Sequence, residues 1–137
     1  MPNYSSSEFV TVHKVLYTDT SPLTLYSAIA GDVIRSIHVR VVTTWNDGSK
    51  SFIVGDDDND DGFMEDADID LESTGLNGVE SRYRGVYMWA VAGSSPIDKF
   101  YLASKTINAT FVGQGNGGSQ GECWVYFLYC RAPQPPA

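Results

Sequence analysis

Apolar and polar residues alternate in short runs along most of the chain, and this period of two residues predicts β-strands. The clearest run covers residues 33–45, where Ile37, Val39 and Val41 fall on one face and polar residues fall on the other. Other runs are predicted to be strands because they are rich in β-branched and aromatic residues. The predicted strands are residues 9–17, 23–29, 33–45, 50–54, 82–92, 99–103, 106–112 and 123–130.

Turn-forming residues separate these runs, and no segment keeps a helical period over 11 residues. Residues 46–49, Asn-Asp-Gly-Ser, tolerate positive φ and are predicted to close a hairpin between the strands at 33–45 and 50–54. Short strands separated by turn signals predict an all-β fold. We expect an antiparallel β-sandwich of seven to eight strands with a jelly-roll-like topology.

The last predicted strand, residues 123–130, is apolar on both faces. Such a strand is typical of the centre of a sheet that is covered on both sides. Cys123 and Cys130 begin and end it, and their odd separation places them on opposite faces. At about 3.3 Å per residue they lie roughly 23 Å apart, which excludes a disulfide between them. Both are predicted to be free, buried thiols.

Length and composition predict one folded domain. The chain has 137 residues, of which 42% are hydrophobic and 12% aromatic, and this excludes intrinsic disorder. The sandwich is predicted at residues 9–130, between an N-terminal arm at 1–8 and a proline-rich tail at 131–137. The N-terminus lacks the apolar core of a signal peptide and no apolar run approaches 18 residues, so we expect a soluble protein made in the cytoplasm.

The formal net charge is −8, and no basic stripe could neutralise phosphates, which argues against nucleic-acid binding. The nine Lys and Arg are scattered, so no membrane is expected as a partner either. The acidic residues are concentrated, because nine of the seventeen lie between Gly55 and Asp70. Carboxylates this close repel one another by about 1 kcal/mol per pair at about 4 Å, even in water. A bound cation, solvent or a positively charged partner must relieve that repulsion.

The centre of this acidic loop, residues 55–70, has the spacing of calcium ligands, because residues 57–62 read Asp-x-Asn-x-Asp-Gly. The twelfth position of the pattern is Asp68, one methylene shorter than the usual bidentate Glu, and the flanking segments are predicted strands, so the loop is not an EF-hand. A calcium site and a solvated or partner-facing loop both remain open. The candidate calcium ligands are Asp57, Asn59, Asp61, Phe63 through its carbonyl, Glu65 and Asp68.

The sequence offers no catalytic motif. His13 and His38 lie in predicted strands without a neighbouring nucleophile, and the dense carboxylates share one loop, so no acid and base are set apart by their environments. We therefore predict no enzymatic activity. The aromatic residues support an alternative, a calcium-dependent carbohydrate-binding module, with Trp45, Tyr83 and Tyr87 as candidate sugar-stacking side chains.

An ordered series of segments runs through most of residues 9–130. It comprises a strand ending Phe52-Ile53-Val54, then Gly55-Asp56, an Asp61-Gly62-Phe63 step, Tyr101, the run 106–111, a glycine-rich turn, and a closing strand containing Trp124-Val125-Tyr126-Phe127. This order resembles that of the small β-sandwich structural proteins of tailed bacteriophages, which are capsid cement or decoration proteins and head-fibre proteins.

The resemblance implies a non-enzymatic virion component, assembled in the host cytoplasm, that binds the major capsid protein or other virion proteins. We expect a homotrimer that stabilises the head by bridging capsid subunits, and a tail, neck or fibre location is the alternative. No cofactor is expected apart from calcium. Extended, proline-containing ends lose little entropy on docking, so both ends are predicted to make contacts. The predicted partner-binding residues are Pro2, Asn3, Tyr4, Pro133, Pro135 and Pro136.

Overall fold

Eight β-strands build the structure, a computed structural model that describes residues 7–79, 84–89, 97–113 and 118–131. The strands are β1 (Ser7–Leu16), β2 (Leu23–Ala28), β3 (Asp32–Thr43), β4 (Ser51–Asp56), β5 (Gly75–Asn77), β6 (Lys99–Phe100), β7 (Lys105–Val112) and β8 (Glu122–Arg131), and a 3-10 helix covers Asp66–Asp68. Within these ranges no helix is long and apolar enough to cross a membrane.

The strands form two antiparallel sheets. The larger sheet has the order β1-β8-β3, and the short strands β5 and β6 both pair with the far edge of β3. The smaller sheet has the order β2-β7-β4. The pairs β1–β8, β2–β7 and β3–β6 are nested in the sequence, which is the connectivity of a jelly roll. The predicted all-β, antiparallel sandwich is therefore confirmed.

Alternate residues of the paired strands point between the sheets and form the core. Ile37, Val39 and Val41 of β3, Phe52 of β4 and Phe127 of β8 are each at most 1% exposed. Burying a side chain of this size contributes about 1.5–3 kcal/mol. A slip of one residue would turn each of these side chains out of the core, so the alternation fixes the register.

The predicted hairpin at residues 46–49 is wrong, because β3 and β4 belong to different sheets. Trp45 is 4% exposed and packs against Phe52 and Phe111, and its indole N–H donates a hydrogen bond to Cys123 Sγ over 3.2 Å. Because this indole is buried between the sheets, the chain passes from the larger sheet to the smaller one after Trp45 and does not turn back within the larger sheet. Because Trp45 is buried, it is also excluded as a sugar-stacking residue.

The predicted strand at residues 82–92 is also corrected. Residues 84–88 form bends and turns, while Tyr83 and the end of the predicted strand lie outside the described residues. The amides of Gly85 and Tyr87 donate hydrogen bonds to backbone carbonyls of the acidic loop. This segment therefore lines the acidic loop and does not extend a sheet.

β8 lies in the centre of the larger sheet, and the described residues cover only one of its faces. Among the described residues, Cys123, Val125 and Phe127 are buried in the core, whereas Trp124 and Tyr126 on the opposite face remain half-exposed. The sequence predicted that β8 is covered on both faces. Within the described residues this prediction is wrong, because only the core face is covered. Both cysteines are free and buried, as predicted.

Candidate interaction surface

Asp56, the last residue of β4, organises the acidic loop that follows it. It is 3% exposed, and its Oδ1 accepts hydrogen bonds from the amides of Asp58 and Asn59, each at 3.0 Å. The hydroxyls of Tyr87 and Tyr101 donate to Oδ1 and Oδ2 over 2.9 and 2.7 Å. A carboxylate that the calcium pattern does not include thus anchors the loop to the sandwich.

Hydrogen bonds keep this buried carboxylate ionised. Burial alone would raise the pKa of Asp56, but the hydrogen bonds from Tyr101, Tyr87 and two loop amides outweigh it and hold the pKa below its ordinary value. Burial, and then the hydrogen bond to Asp56, raise the pKa of both tyrosine hydroxyls, so both remain donors. Lys99 Nζ lies 4.0 Å from the centroid of the Tyr87 ring and 5.4 Å from that of Tyr101. It adds a positive charge beside the network.

Two glycines allow the acidic loop to fold back on β4. A Cβ at Gly55 would clash with the backbone of Asn59 and Asp60, and a Cβ at Gly62 would enter the ring of Tyr87. The loop therefore depends on a close backbone approach that only glycine permits.

Two of the candidate calcium ligands already use their oxygens inside the protein. Asn59 Oδ1 accepts a hydrogen bond from the Asp61 amide at 3.3 Å. The Phe63 carbonyl accepts one from the Gly85 amide at 2.7 Å, and the Phe63 side chain is fully buried. Both oxygens are therefore engaged with backbone donors.

The acidic candidate ligands do not converge on one point. Asp57 is exposed. Burial, and then Asp68 and Asp61, raise the pKa of Glu65, and burial with Asp61 raises the pKa of Asp68 against a hydrogen bond from the Glu65 amide. Among the described residues, which include the whole acidic loop, no group of three or more His, Cys, Asp or Glu is placed to hold a metal ion. Calcium binding therefore stays a prediction.

The remaining carboxylates of the acidic loop form an anionic surface. Asp57, Asp60 and Asp66 are exposed, and the described part of the chain gives them no ion-pair partner. Lys105 Nζ lies 3.3 Å from Asp58 Oδ1 in an exposed pair, and such pairs contribute at most about 1 kcal/mol. The surface therefore suits a positively charged partner.

A second candidate surface is the side of the larger sheet that faces away from the core. The strand register places Val12, Tyr126 and His38 in one row across it. Val10, Val12 and Leu76 are 64%, 47% and 51% exposed. Single exposed apolar residues are ordinary, but an apolar surface across four strands is typical of an interaction site. This surface, the outer face, consists of Val10, Val12, Trp124, Tyr126, Leu128, His38, Arg40 and Leu76.

Positive charge adjoins the outer face, although the protein as a whole is acidic. Arg84 is 8% exposed, and it donates hydrogen bonds to the Gly78 carbonyl at 2.8 Å and to His38 Nε2 at 3.2 Å. Because a guanidinium only donates, His38 carries its ring proton on Nδ1. Burial lowers the pKa of Arg84, and burial together with Arg84 lowers that of His38, so His38 is neutral at neutral pH. Neither Arg84 nor Arg40 has a carboxylate partner among the described residues.

An ion pair joins the start of β3 to the end of β8. Arg131 Nε donates to Asp32 Oδ1 at 2.8 Å, and Tyr26 and the Ile29 amide donate to Asp32 Oδ2 at 2.8 and 3.0 Å. Burial alone would raise the pKa of Asp32, but these hydrogen bonds hold it below its ordinary value. The predicted partner-binding residues lie beyond this point or before β1, outside the described residues, and stay predictions: Pro2, Asn3, Tyr4, Pro133, Pro135 and Pro136.

Sequence reasoning missed the Asp56 network and the outer face. Asp56 is one of nine acidic residues in the loop, and its neighbours in sequence do not show that Tyr101 will lie against it. The outer face does have a signal, because residues 123–130 are apolar on both faces. That pattern does not tell whether the same chain or another molecule covers the second face. No pattern around Arg84 marks its position beside the sheet.

Comparisons with known proteins show what the fold resembles. No protein-family model matches the sequence, and no curated protein matches it. A chain in the acidic stable capsid structure of Helicobacter pylori bacteriophage KHP30 superposes with a TM-score of 0.62 at 14% identity, over 92% of this chain and 90% of that chain. A chain in the capsid asymmetric unit of cyanophage Pam1 superposes with a TM-score of 0.55 at 10% identity, over 96% and 89%. At these identities the likeness shows a shared fold.

Proposed function

We propose that this chain is a bacteriophage virion structural protein, a capsid cement or decoration protein. The observation that carries the proposal is the fold likeness to two phage capsid chains, which covers 92% of this chain and 90% of the Helicobacter phage chain. Because both fractions are high, the two chains have similar lengths. The shared unit is therefore the whole sandwich.

The two candidate surfaces support a role in binding other subunits. The outer face presents half-exposed aromatic and aliphatic side chains. Its central strand, β8, is hydrogen-bonded to β1 on one side and to β3 on the other. Aromatic residues with an arginine nearby are the composition favoured at interface centres. The acidic loop adds a charged surface that would steer a basic partner. The role is structural, with no turnover.

The proposed mechanism is bridging. Each copy would bury the outer face or the acidic loop against capsid subunits, and contacts between copies, in trimers as expected from the sequence, would add further area. Stable interfaces bury about 1,200–2,000 Å² in total, and several weaker contacts on one particle act together through effective concentration. A chain of this size could bridge neighbouring subunits only by using more than one of its surfaces.

Particles of the parent phage that lack this protein provide the test. We expect added wild-type protein to co-sediment with such particles and to raise their thermal midpoint, and imaging should place it on the outer capsid surface. Tyr126→Lys on the outer face should weaken binding, whereas Leu102→Lys, at a residue that is 84% exposed between β6 and β7, should not. Protein found only in the tail or neck, or none bound, would contradict the cement role.

A further inference from the structure

β1 forms an open edge of the larger sheet. It is ten residues long, runs in continuous register against β8, and pairs with no other strand among the described residues. An edge strand presents backbone N–H and C=O groups that can pair with another chain. Soluble proteins protect such edges with prolines, bulges or lysines, whereas β1 contains no proline, no bulge and one lysine.

Apolar side chains flank this edge on both faces of the sheet. Val10 and Val12 are 64% and 47% exposed on the outer face. Phe9 is 44% exposed on the opposite side, where its ring centroid lies 5.4 Å from that of Tyr129. A strand from another molecule placed along β1 would cover all three side chains.

We propose that β1 pairs antiparallel with β1 of a second copy of this chain, about a two-fold axis through Thr11. Residues directly opposite each other in a sheet share a face, so only registers that keep both outer faces on one side are allowed. With Thr11 opposite Thr11, Glu8 lies opposite Lys14 and Val10 lies opposite Val12.

Charge complementarity selects this register. Glu8 begins the outer row of β1 and Lys14 lies six residues further along the same row, and their side chains are 51% and 57% exposed. A two-fold axis midway between them creates both opposite-charge pairs at once. A shift of two residues places Glu8 opposite Val12 in one direction and Lys14 opposite Val10 in the other, and neither shift pairs the charges. The ion pairs that the two residues make within the chain, with Arg35 and with Glu122, are open to solvent on at least one side and therefore weak.

The contact would join the larger sheets of two copies into one. The two outer faces then form a single surface, with two Val10–Val12 pairs at its centre. The contact is isologous, because each copy contributes the same strand. It goes beyond the proposed virion role and does not depend on it, since it requires only a second copy of the chain. It is a two-fold contact and is therefore distinct from the three-fold contacts of the proposed trimer.

Charge exchange tests the register in the full-length chain. Glu8→Lys or Lys14→Glu alone places like charges opposite each other at two positions, so we expect each to weaken dimerisation by about tenfold. The double variant Glu8→Lys/Lys14→Glu restores opposite charges across the contact only if the partner is an identical chain, so it should dimerise more tightly than either single variant, although the new lysine then faces Arg35 and the new glutamate faces Glu122 within the chain. Sedimentation velocity over a concentration series measures all four proteins.

A second pair of variants controls for effects on folding. Val12→Lys places a charge at the centre of the contact and should abolish the dimer, whereas Leu102→Lys, outside β1, should retain it. Thermal melting by circular dichroism checks that each variant folds. A wild-type chain that stays monomeric overturns the proposal, as does a double variant as weak as the single ones, or an oligomer that Val12→Lys leaves unchanged. Absence of the chain from virions would overturn only the proposed function.

Discussion

Asp56 accepts four hydrogen bonds while it lies almost entirely out of water. Removing a buried acceptor leaves its donors unsatisfied, which costs about 1–3 kcal/mol for each group left without a partner. Tyr101, itself 3% exposed, has little access to water that could replace the lost acceptor. This single side chain therefore links the stability of the sandwich to the conformation of the acidic loop.

We expect Asp56→Ala to lower the free energy of unfolding by about 2–4 kcal/mol, because it leaves the buried Tyr101 hydroxyl and the partly buried Tyr87 hydroxyl without their acceptor. Asp57→Ala, one residue further along at an exposed position, should change it by less than about 0.5 kcal/mol. Urea unfolding followed by tryptophan fluorescence measures both. Similar losses in the two variants would contradict the role assigned to Asp56.

The lowered pKa of Asp32 predicts how its contribution to stability depends on pH. A carboxylate whose folded-state pKa lies below its unfolded value of 3.8 contributes stability above that value and loses it as the pH falls through the folded pKa. The difference in free energy of unfolding between wild type and Asp32→Asn should be constant from about pH 7 to about pH 5 and should shrink below about pH 4. Urea unfolding at each pH measures it, and a difference that grows towards acid pH would contradict the assignment.

At the scale of elements, the acidic loop is held by close packing as well as by charge. Gly62 lies against the ring of Tyr87, so Gly62→Ala should displace the ring and lower the free energy of unfolding by about 1–3 kcal/mol. Gly48→Ala is the matched control, because its Cβ would meet only Glu72 Oε1 at 3.9 Å. Thermal melting of both variants compares them, and equal midpoints would show that the loop can relax around the added methyl group.

Calcium binding by the acidic loop has its own test. The calcium interpretation predicts that Asp61→Ala lowers the melting temperature in the presence of calcium and leaves it unchanged in chelator. A bound cation would also relieve the repulsion that helps raise the pKa of Glu65 and Asp68. Differential scanning calorimetry in both buffers measures the effect. Identical wild-type melting with calcium and with chelator would reject the metal.

The alternation of apolar and polar residues depends only on neighbouring positions in the sequence. For that reason it correctly predicts the strands β3 and β7. Pairing between strands is not local. The hairpin prediction failed after Trp45 because the same turn residues suit a reversal within a sheet and a crossing between sheets, and burial of the indole against Phe52 decides between them. The Asp56 network joins residues 45 positions apart, so no local pattern could reveal it.

On the scale of the whole molecule, the two candidate surfaces of the sandwich differ in their charge and polarity. The acidic loop carries Asp57, Asp60 and Asp66, exposed carboxylates with no ion-pair partner among the described residues, whereas the outer face is apolar and aromatic with positive charge beside it. A protein with two unlike surfaces can contact two unlike neighbours. This arrangement supports bridging, and β1 adds a third kind of contact, between identical copies.

The predicted tail contact can be tested without disturbing the fold. Arg131 must be kept, because it pairs with the fully buried Asp32. Deleting residues 132–137 should weaken assembly on particles, while the unfolding midpoint of the isolated chain stays unchanged. Arg131→Ala is the contrasting variant and should lower that midpoint by leaving Asp32 without its cation. Normal assembly of the truncated chain, measured by co-sedimentation, would remove the tail from the contacts.

The register of β1 against β8 sets Ser7 opposite Arg131. The chain therefore enters its first strand and leaves its last one at the same corner of the sandwich. A peptide, enzyme or fluorophore attached directly at Ser7 or at Arg131, in place of the terminal residues, would start from neighbouring points, and a short linker between these two residues could close the sandwich into a circle.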